Sequence, residues 1–321
     1  MILYHLIAIT FAYIIDLVIG DPPNWPHPVR WIGALIHKLE TSLNKGHYRK
    51  LKGVAMLAVV LLAAGGISFL IIRFFYGIHP IAGILAEGIL IFTAIAQKSL
   101  KEAAMDVYVP LEQGEMEEAR EKLSYIVGRD TDSLDEPGIV RAAVETVAEN
   151  TSDGITAPLF WAFIGGAPLA LLYRSINTCD SMVGHRNERY GEFGWASARV
   201  DDIANWIPSR LTSICIMLTQ KPEHTSAGEA WGILLRDARS HPSPNSGWGE
   251  AAVAALLGIQ LGGINFYKGV ISNRATMGDP FVFLEKEHIL KSISIMKKTV
   301  FIFLILLWAG GIVIEMALTR F

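Results

Sequence analysis

Charge is scarce in this chain of 321 residues: Asp, Glu, Lys and Arg make up 18% of it, and the formal net charge is -3. A balance so close to neutral excludes a broad basic field, and with it nucleic acid as the main partner. Cysteine is scarcer still. Cys179 and Cys215 are the only two, and they match neither a disulfide framework nor a CxxC metal or redox pair, so both read as ordinary reduced thiols. The chain also lacks a GxxxxGKS/T loop, a GxGxxG after a strand, an HExxH and a GxSxG. Those absences remove the common nucleotide, zinc and serine-nucleophile signatures. What the chain has in excess is apolar surface. It is 51% hydrophobic with a mean hydropathy of +0.36, more than a soluble core needs, and it reads as an integral membrane protein.

Four spans follow from the length of apolar runs. The first is MILYHLIAITFAYIIDLVIG, which has no basic n-region and no AxA-type cleavage site and so reads as retained. Residues 53–76 and 78–97 form the second and third, the latter carrying Glu87 at membrane depth, and residues 299–318 form the last. The segment 155–174 is long enough to cross but is broken by Pro158, Gly165, Gly166 and Pro168, so it either spans or re-enters. Residues 203–219, with Pro208 and Arg210, and residues 249–267, rich in Ala and Gly, are further candidates. The expected fold is an all-α polytopic membrane protein with five to seven membrane segments, re-entrant ones among them. No repeat and no persistent strand pattern is visible.

Lys and Arg concentrate in residues 30–52 and 268–298, which should face the cytoplasm. Residues 98–154 then face it too, as a soluble helical insert within a single membrane domain, 1–321. In that insert Pro110 should interrupt a first helix, and a second should run from Leu111 to Val127 with Glu118 four residues before Lys122. A third should start after DTDSLDEPG, with Asp135 as N-cap and Glu136 and Pro137 in its first turn.

Two polar clusters flank the broken segment. Before it, Arg141, Glu145 and Glu149 recur every four residues along one helix face, followed by Asn150 and Asp153; a solvated stripe is the plainer explanation. After it, NTCDSMVGHRNERYGEFGWASARVDD supplies Asn177, Asp180, His185, Arg186, Arg199, Asp201 and Asp202. If the segment dips in and returns, both clusters reach the cytoplasmic face and can form one site. Carboxylates with few histidines and no cysteine ligands suit Mg²⁺, not zinc. Arg129, Arg141, Arg199 and Arg210 are candidates to hold phosphate, or else to anchor at lipid headgroups, and Arg210 in NWIPSR would need a partner such as Asp201 or Asp202. Asp16 lies within apolar sequence and needs a partner or a proton, while His27 reads as a turn cap. Ser243, Asn245 and Glu250 surround a Pro-Asn-Ser-Gly turn that also reads as a helix start.

At these residues the chain resembles the adenosylcobinamide-phosphate synthase family, the CobD/CbiB proteins of cobalamin biosynthesis. The resemblance covers nearly the whole chain and rests on DLVIGDPPNWPHPVRWIG, GRDT, ETVAENTSDGITAPLF, NTCDSMVGHRNERYGEFGWASARVDD, NWIPSRLT and HPSPNSGWGEAAVAALLGIQLGG, in that order. It implies a multi-pass enzyme of the cell (inner) membrane, its site facing the cytoplasm. The implied reaction joins adenosylcobyric acid to (R)-1-aminopropan-2-yl phosphate, or a related amino alcohol phosphate, through an amide bond, with ATP and Mg²⁺. Carried over residue by residue, the resemblance makes Glu145, Glu149, Asp153 and Asp202 the catalytic candidates and Asp180 and Asp201 the metal candidates. Arg129, Arg199 and Arg210 become phosphate candidates. Asn150, Asn177, Asn205, Ser243 and Asn245 become candidates to orient substrate. Which cluster takes ATP and which the corrinoid stays open, and Trp161, Trp195, Trp206 and Trp248 are either walls of a corrinoid cavity or interface anchors. Other membrane-associated enzymes of the cobalamin pathway are the partners the resemblance allows.

Two other classes remain. A transporter would place polar groups near the bilayer midplane, around discontinuous helices, whereas here they concentrate at span ends. A non-catalytic regulatory relative would have had no reason to keep ENTSDG, ARVDD and SPNSG.

Overall fold

The structure, a computed structural model, describes residues 2–21, 25–185 and 187–318. In chain order the first seven helices are α1 (Ile2–Val18), α2 (Pro28–Leu43), α3 (Arg49–Ile78), α4 (Pro80–Phe92), α5 (Gln97–Gln113), α6 (Met116–Ser124) and α7 (Glu136–Thr151). A π-helical turn, Ser152–Thr156, leads into α8 (Ala157–Val183), followed by α9 (Trp195–Ala204), α10 (Trp206–Met217), α11 (Ala227–Asp237) and α12 (Ser246–Leu257). An antiparallel hairpin of β1 (Leu261–Tyr267) and β2 (Val270–Met277) precedes α13 (Glu287–Leu318). Four stretches are long and apolar enough to cross a bilayer: Arg49–Ile78, Pro80–Gln113, Glu136–Val183 and Glu287–Ala317; α1 is apolar and shorter. The chain is therefore a helical polytopic membrane protein, with the hairpin as the only strands among the described residues.

The chain divides into two compact units. The first comprises Met1–Ala96, Asp153–Asn205 and Leu304–Phe321. Here α3 packs on α2, α4, α8 and α9, and α1 lies against α4 and α8. Turns are set by side chains: His27 caps α2 by accepting from the Val29 amide at 3.3 Å, and His79 caps α4 by accepting from Ile81 at 3.2 Å. His27 thus serves as the expected cap, and it also sits 3.2 Å from Asp21. Asp16 is fully buried. The apolar core between α2, α3, α8 and α9 includes Ile36, Met56, Val60, Cys179 and Phe193. Helix α8 keeps its course through Pro158 but breaks at Gly165 and Gly166, where the backbone leaves helical φ/ψ.

The second unit comprises Gln97–Ser152 and Trp206–Phe303. Asp135 caps α7 as expected, its carboxylate accepting from the Gly138 amide at 2.9 Å, with Pro137 in the first turn. Asp135→Ala should cost about 1 kcal/mol of stability, read by thermal unfolding, because the amide it satisfies then has only water. Other expectations need correction. Pro110 does not interrupt α5, which runs through it to Gln113 and stops at Gly114, so the next helix begins at Met116. Residues 203–219 are not one span: α9 ends at Asn205, and the 12 residues of α10 rise only about 18 Å, short of a bilayer core. Nor do residues 249–267 span. Helix α12 ends against Gly258, whose φ of 68° reverses the chain and whose missing Cβ leaves room for the His224 ring, and strand β1 begins three residues later. The hairpin turns through Lys268 and Gly269, both at positive φ, and Asp130 accepts from both of their amides, at 2.9 and 2.7 Å.

Candidate functional site

In the first unit, the half of α8 beyond its break carries Tyr173, Asn177 and Asp180 at spacings of four and three, so they share one helix face. Helix α9 meets that face with Asp201, and Asn205 follows at its end. The Tyr173 hydroxyl donates to Asn205 Oδ1 at 2.7 Å and reaches the Asp153 carbonyl at 3.2 Å. Asn205 Nδ2 donates to Asp201 Oδ2 at 3.0 Å, and Asn177 Nδ2 reaches Asp201 Oδ1 at 3.5 Å. The chain extends to Arg174, whose Nη1 lies 3.5 Å from Asn177 Oδ1. Asp201 is 8% exposed. Burial, helped by the nearby Asp180 charge, pushes its carboxyl up to about 7, against the opposing pull of the two amides. A carboxyl so placed exchanges its proton near neutral pH. Asp202, the next residue of α9, forms a 3.5 Å pair with Arg199, whose side chain is 59% exposed.

In the second unit, Arg129 and Glu145 form a buried ion pair. Glu145 also accepts from the Gly262 amide at 2.7 Å, and Arg129 donates to Asn265 Oδ1 at 2.5 Å. Arg141 joins them, donating to the carbonyls of Gly262 and Ile264 at 2.5 and 2.9 Å and to Asn265 at 3.1 Å. The stripe along α7 is therefore no solvated face: it is held by the hairpin. One turn on, Glu149 accepts from Ser246 at 2.8 Å, while Asn150 only back-bonds to Thr146 of its own helix, at 2.9 Å. Glu250 is buried 3.7 Å from His241. Burial and the charges of Glu145 and Glu149 raise its carboxyl well above the usual range; burial pulls the His241 imidazole down.

A third group in that unit surrounds the start of α12. Ser243 Oγ accepts from the amides of Asn245 and Ser246, both at 3.3 Å, so the turn is the helix start that the sequence suggested. Asn245 Oδ1 accepts from Ser209 at 3.3 Å and from Arg210 at 3.1 Å. Arg210 also donates to the Trp206 carbonyl at 2.7 Å and lies over the rings of Trp206 and Trp248, 4.5 and 4.9 Å from their centroids. Neutral oxygens and indole faces thus supply the partners for which a carboxylate was expected. Trp161 donates to the Ala204 carbonyl at 3.2 Å, and Lys50 lies 3.8 Å over the exposed Trp195. His185 is exposed, and Arg186 lies outside the described residues.

Sequence reasoning overlooked Tyr173 and Arg174, although the spacing of 173, 177 and 180 along one helix was there to read. It also overlooked His241, Asn265 and Arg274; Arg274 donates to Tyr267 at 2.6 Å and lies 3.4 Å from His241. Their signal was the Lys-Gly turn between two β-rich runs, hidden by reading the first run as membrane. Among the described residues no group of three or more His, Cys, Asp and Glu side chains forms a metal cage. Asp180 and Asp201 offer two carboxylates, while the Asn177 and Asn205 amides turn their nitrogens to Asp201 and their oxygens to Arg174 and Tyr173, so a cation held there would be a hard one that keeps most of its own waters. Both cysteines are buried and free, and burial raises the Cys215 thiol to about 11, as an inert thiol requires.

These features define a class: a polytopic helical membrane protein whose polar chemistry is carboxylate, amide and arginine, held at helix ends and a hairpin. A family model described as CobD/Cbib protein matches residues 9–296. The chain is 53% identical over 312 residues to a cobalamin biosynthesis protein CobD of Halalkalibacterium halodurans, covering 97% of this chain and 98% of that one. It is 45% identical to the CobD of Clostridium perfringens, with 91% and 93% covered, and 44% identical to the cobalamin biosynthesis protein CbiB of Salmonella arizonae, with 91% and 92% covered. The chain belongs to the CobD/CbiB family, and its role is in cobalamin biosynthesis. No solved structure matches it.

Proposed function

We propose that this protein is an ATP-dependent amide-forming ligase that joins adenosylcobyric acid to (R)-1-aminopropan-2-yl phosphate or a related amino alcohol phosphate. The observation that carries the reading is the Asp201 network: a buried carboxyl of near-neutral pKa, fixed by two amides beside a second carboxylate. A carboxylate substrate becomes an acylating agent when its oxygen takes the γ-phosphoryl group of ATP and ADP departs. The amine then attacks the acyl carbon, phosphate leaves, and the amine proton passes to a base. Asp180 and Asp201 would hold Mg²⁺, which neutralises phosphoryl charge when bound. Glu149, Asp153 and Asp202 are the bases we assign to this step, since Glu145 is committed to Arg129 and the Gly262 amide. Arg199, exposed beside Asp202, and Arg210, preset by two indoles, would grip phosphate.

The basic segments 30–52 and 268–298 support an orientation with these residues on the cytoplasmic side of the inner membrane, where ATP and both substrates are made. A carrier would need open polar groups around the break in α8. There Glu87, His5 and Tyr76 satisfy one another instead.

The test is a product assay on detergent-purified protein with adenosylcobyric acid, aminopropanol phosphate, Mg²⁺ and ATP, read by mass spectrometry. The amide together with stoichiometric ADP and phosphate is expected; folded, substrate-binding protein that makes neither would overturn the reading. Glu149→Ala and Asp202→Ala should each lower kcat by about 100-fold or more while leaving the protein folded. Full activity in both would remove them from the site.

A further inference from the structure

Glu87 lies in the middle of α4, is fully buried, and takes no part in the chemistry above. Its Oε1 accepts from His5 Nδ1 at 2.7 Å and from the Ala167 backbone amide at 3.2 Å, and its Oε2 accepts from the Tyr76 hydroxyl at 2.5 Å. The Ala167 amide is the first past the break in α8. A helix broken within a membrane leaves the leading amides of its second half without intrahelical acceptors, and lipid offers none. A carboxylate there meets both that need and the positive end of the half-helix dipole.

The backbone is shaped to admit it. Gly166 has a φ of 65°, and a Cβ there would lie 1.8 Å from Glu87 Oε1 and 2.9 Å from the His5 ring. Tyr76 is brought to the other oxygen by the tight turn at His79, which reverses α3 into α4. The half-helix that begins at this cap is the one that carries Tyr173, Arg174, Asn177 and Asp180.

We propose that Glu87 is a positioning residue: an N-cap supplied by a neighbouring helix that fixes the break in α8 and so sets how its polar half enters the Asp201 network. The test uses the full-length protein in nanodiscs, with spin labels at Ile81→Cys on α4, where the side chain is exposed, and Ser181→Cys in a chain carrying Cys179→Ala and Cys215→Ala. Their separation reports the angle of the break, because a turn of about 10° at Gly166 swings the far end of a half-helix about 22 Å long by about 4 Å. Glu87→Gln retains an oxygen for the Ala167 amide, and the Tyr76 hydroxyl can rotate to accept from its NH₂, so distance and kcat should stay near wild type. Glu87→Ala removes the cap, and Gly166→Ala displaces it without removing the carboxylate. Both should shift or broaden the distance distribution by about 3 Å or more and lower kcat by about tenfold or more, since a displacement of about 1 Å is enough to cost rate, with KM changed far less.

Only the rate arm rests on the ligation reading. An unchanged distance in Glu87→Ala and Gly166→Ala overturns the proposal whatever the rates. A shifted distance with wild-type kcat overturns the positioning role, and loss of kcat in Glu87→Gln at an unchanged distance does the same. If the wild-type protein makes no product, the ligation reading fails and the distance arm alone decides whether Glu87 sets the break.

Discussion

Asp201→Asn should stop ligation and yet make the protein more stable near and above neutral pH. Asparagine copies the protonated carboxyl in size and keeps one oxygen for the Asn205 amide, but it cannot become an anion. The wild-type carboxyl titrates at about 7 in the folded protein because it is buried and faces Asp180, against an ordinary value near 4 when unfolded. Below about pH 4 both states hold the proton and the residue is neutral to stability. As pH rises from about 4 to about 7 the unfolded chain releases the proton while the folded protein keeps it, so stability falls, by on the order of 4 kcal/mol in total, and is flat above that. The variant escapes this loss. Thermal unfolding in Mg²⁺-free buffer should therefore show the two proteins alike at pH 4 and the variant ahead at pH 8.

Added Mg²⁺ should reverse the order. A cation that binds ionised Asp201 releases its proton, so wild-type protein should gain more from Mg²⁺ at pH 8 than at pH 6, and the variant should gain little at either. A variant that is no more stable at pH 8, or that ligates at the wild-type rate, would remove Asp201 from the role given to it.

How much of this was legible beforehand depended on whether a signal was local. The cap at Asp135 was readable because a side chain three residues from its amide decides it. The long spans were readable because their length is dictated by the bilayer, and the break in α8 because two adjacent glycines remove what keeps a helix regular. Residues 249–267 misled because Ala, Gly and Ile suit a membrane helix and a strand alike; one left-handed residue, Gly258, decides between them. Pro110 misled in the other direction, since α5 runs on past it with Tyr108 and Leu111 buried on either side. The site was half legible. Spacing put carboxylates on common faces and Asn205 four residues from Asp201, but the Asn177 amide and the hairpin carbonyls that bind Arg141 come from further along the chain, and no period announces them.

The second large effect concerns the Arg129–Glu145 pair, both of whose side chains are under one-tenth exposed: 7% and 6%. Removing one partner of a buried pair strands the other's charge, at a cost of about 3 to 5 kcal/mol. Arg129→Met should reach that range, because Glu145 would keep only the Gly262 amide while Glu149, four residues on along the same helix, is a like charge on the same face. Glu145→Gln should cost less, since its amide oxygen still accepts from Gly262 or Arg129 and Asn265 remains on the guanidinium. The double variant Arg129→Met with Glu145→Leu strands no charge. It should lie at least about 2 kcal/mol above the sum of the single Met and Leu losses, a coupling measurable by a double-mutant cycle in detergent. Losses that add within about 0.5 kcal/mol would mean that the two side chains do not act as a pair. The same double variant separates structure from chemistry. If Arg129 only anchors the hairpin, ligation returns with stability; if its guanidinium also grips a phosphate, the protein refolds but stays inactive, because methionine restores packing and offers no donor to an anion.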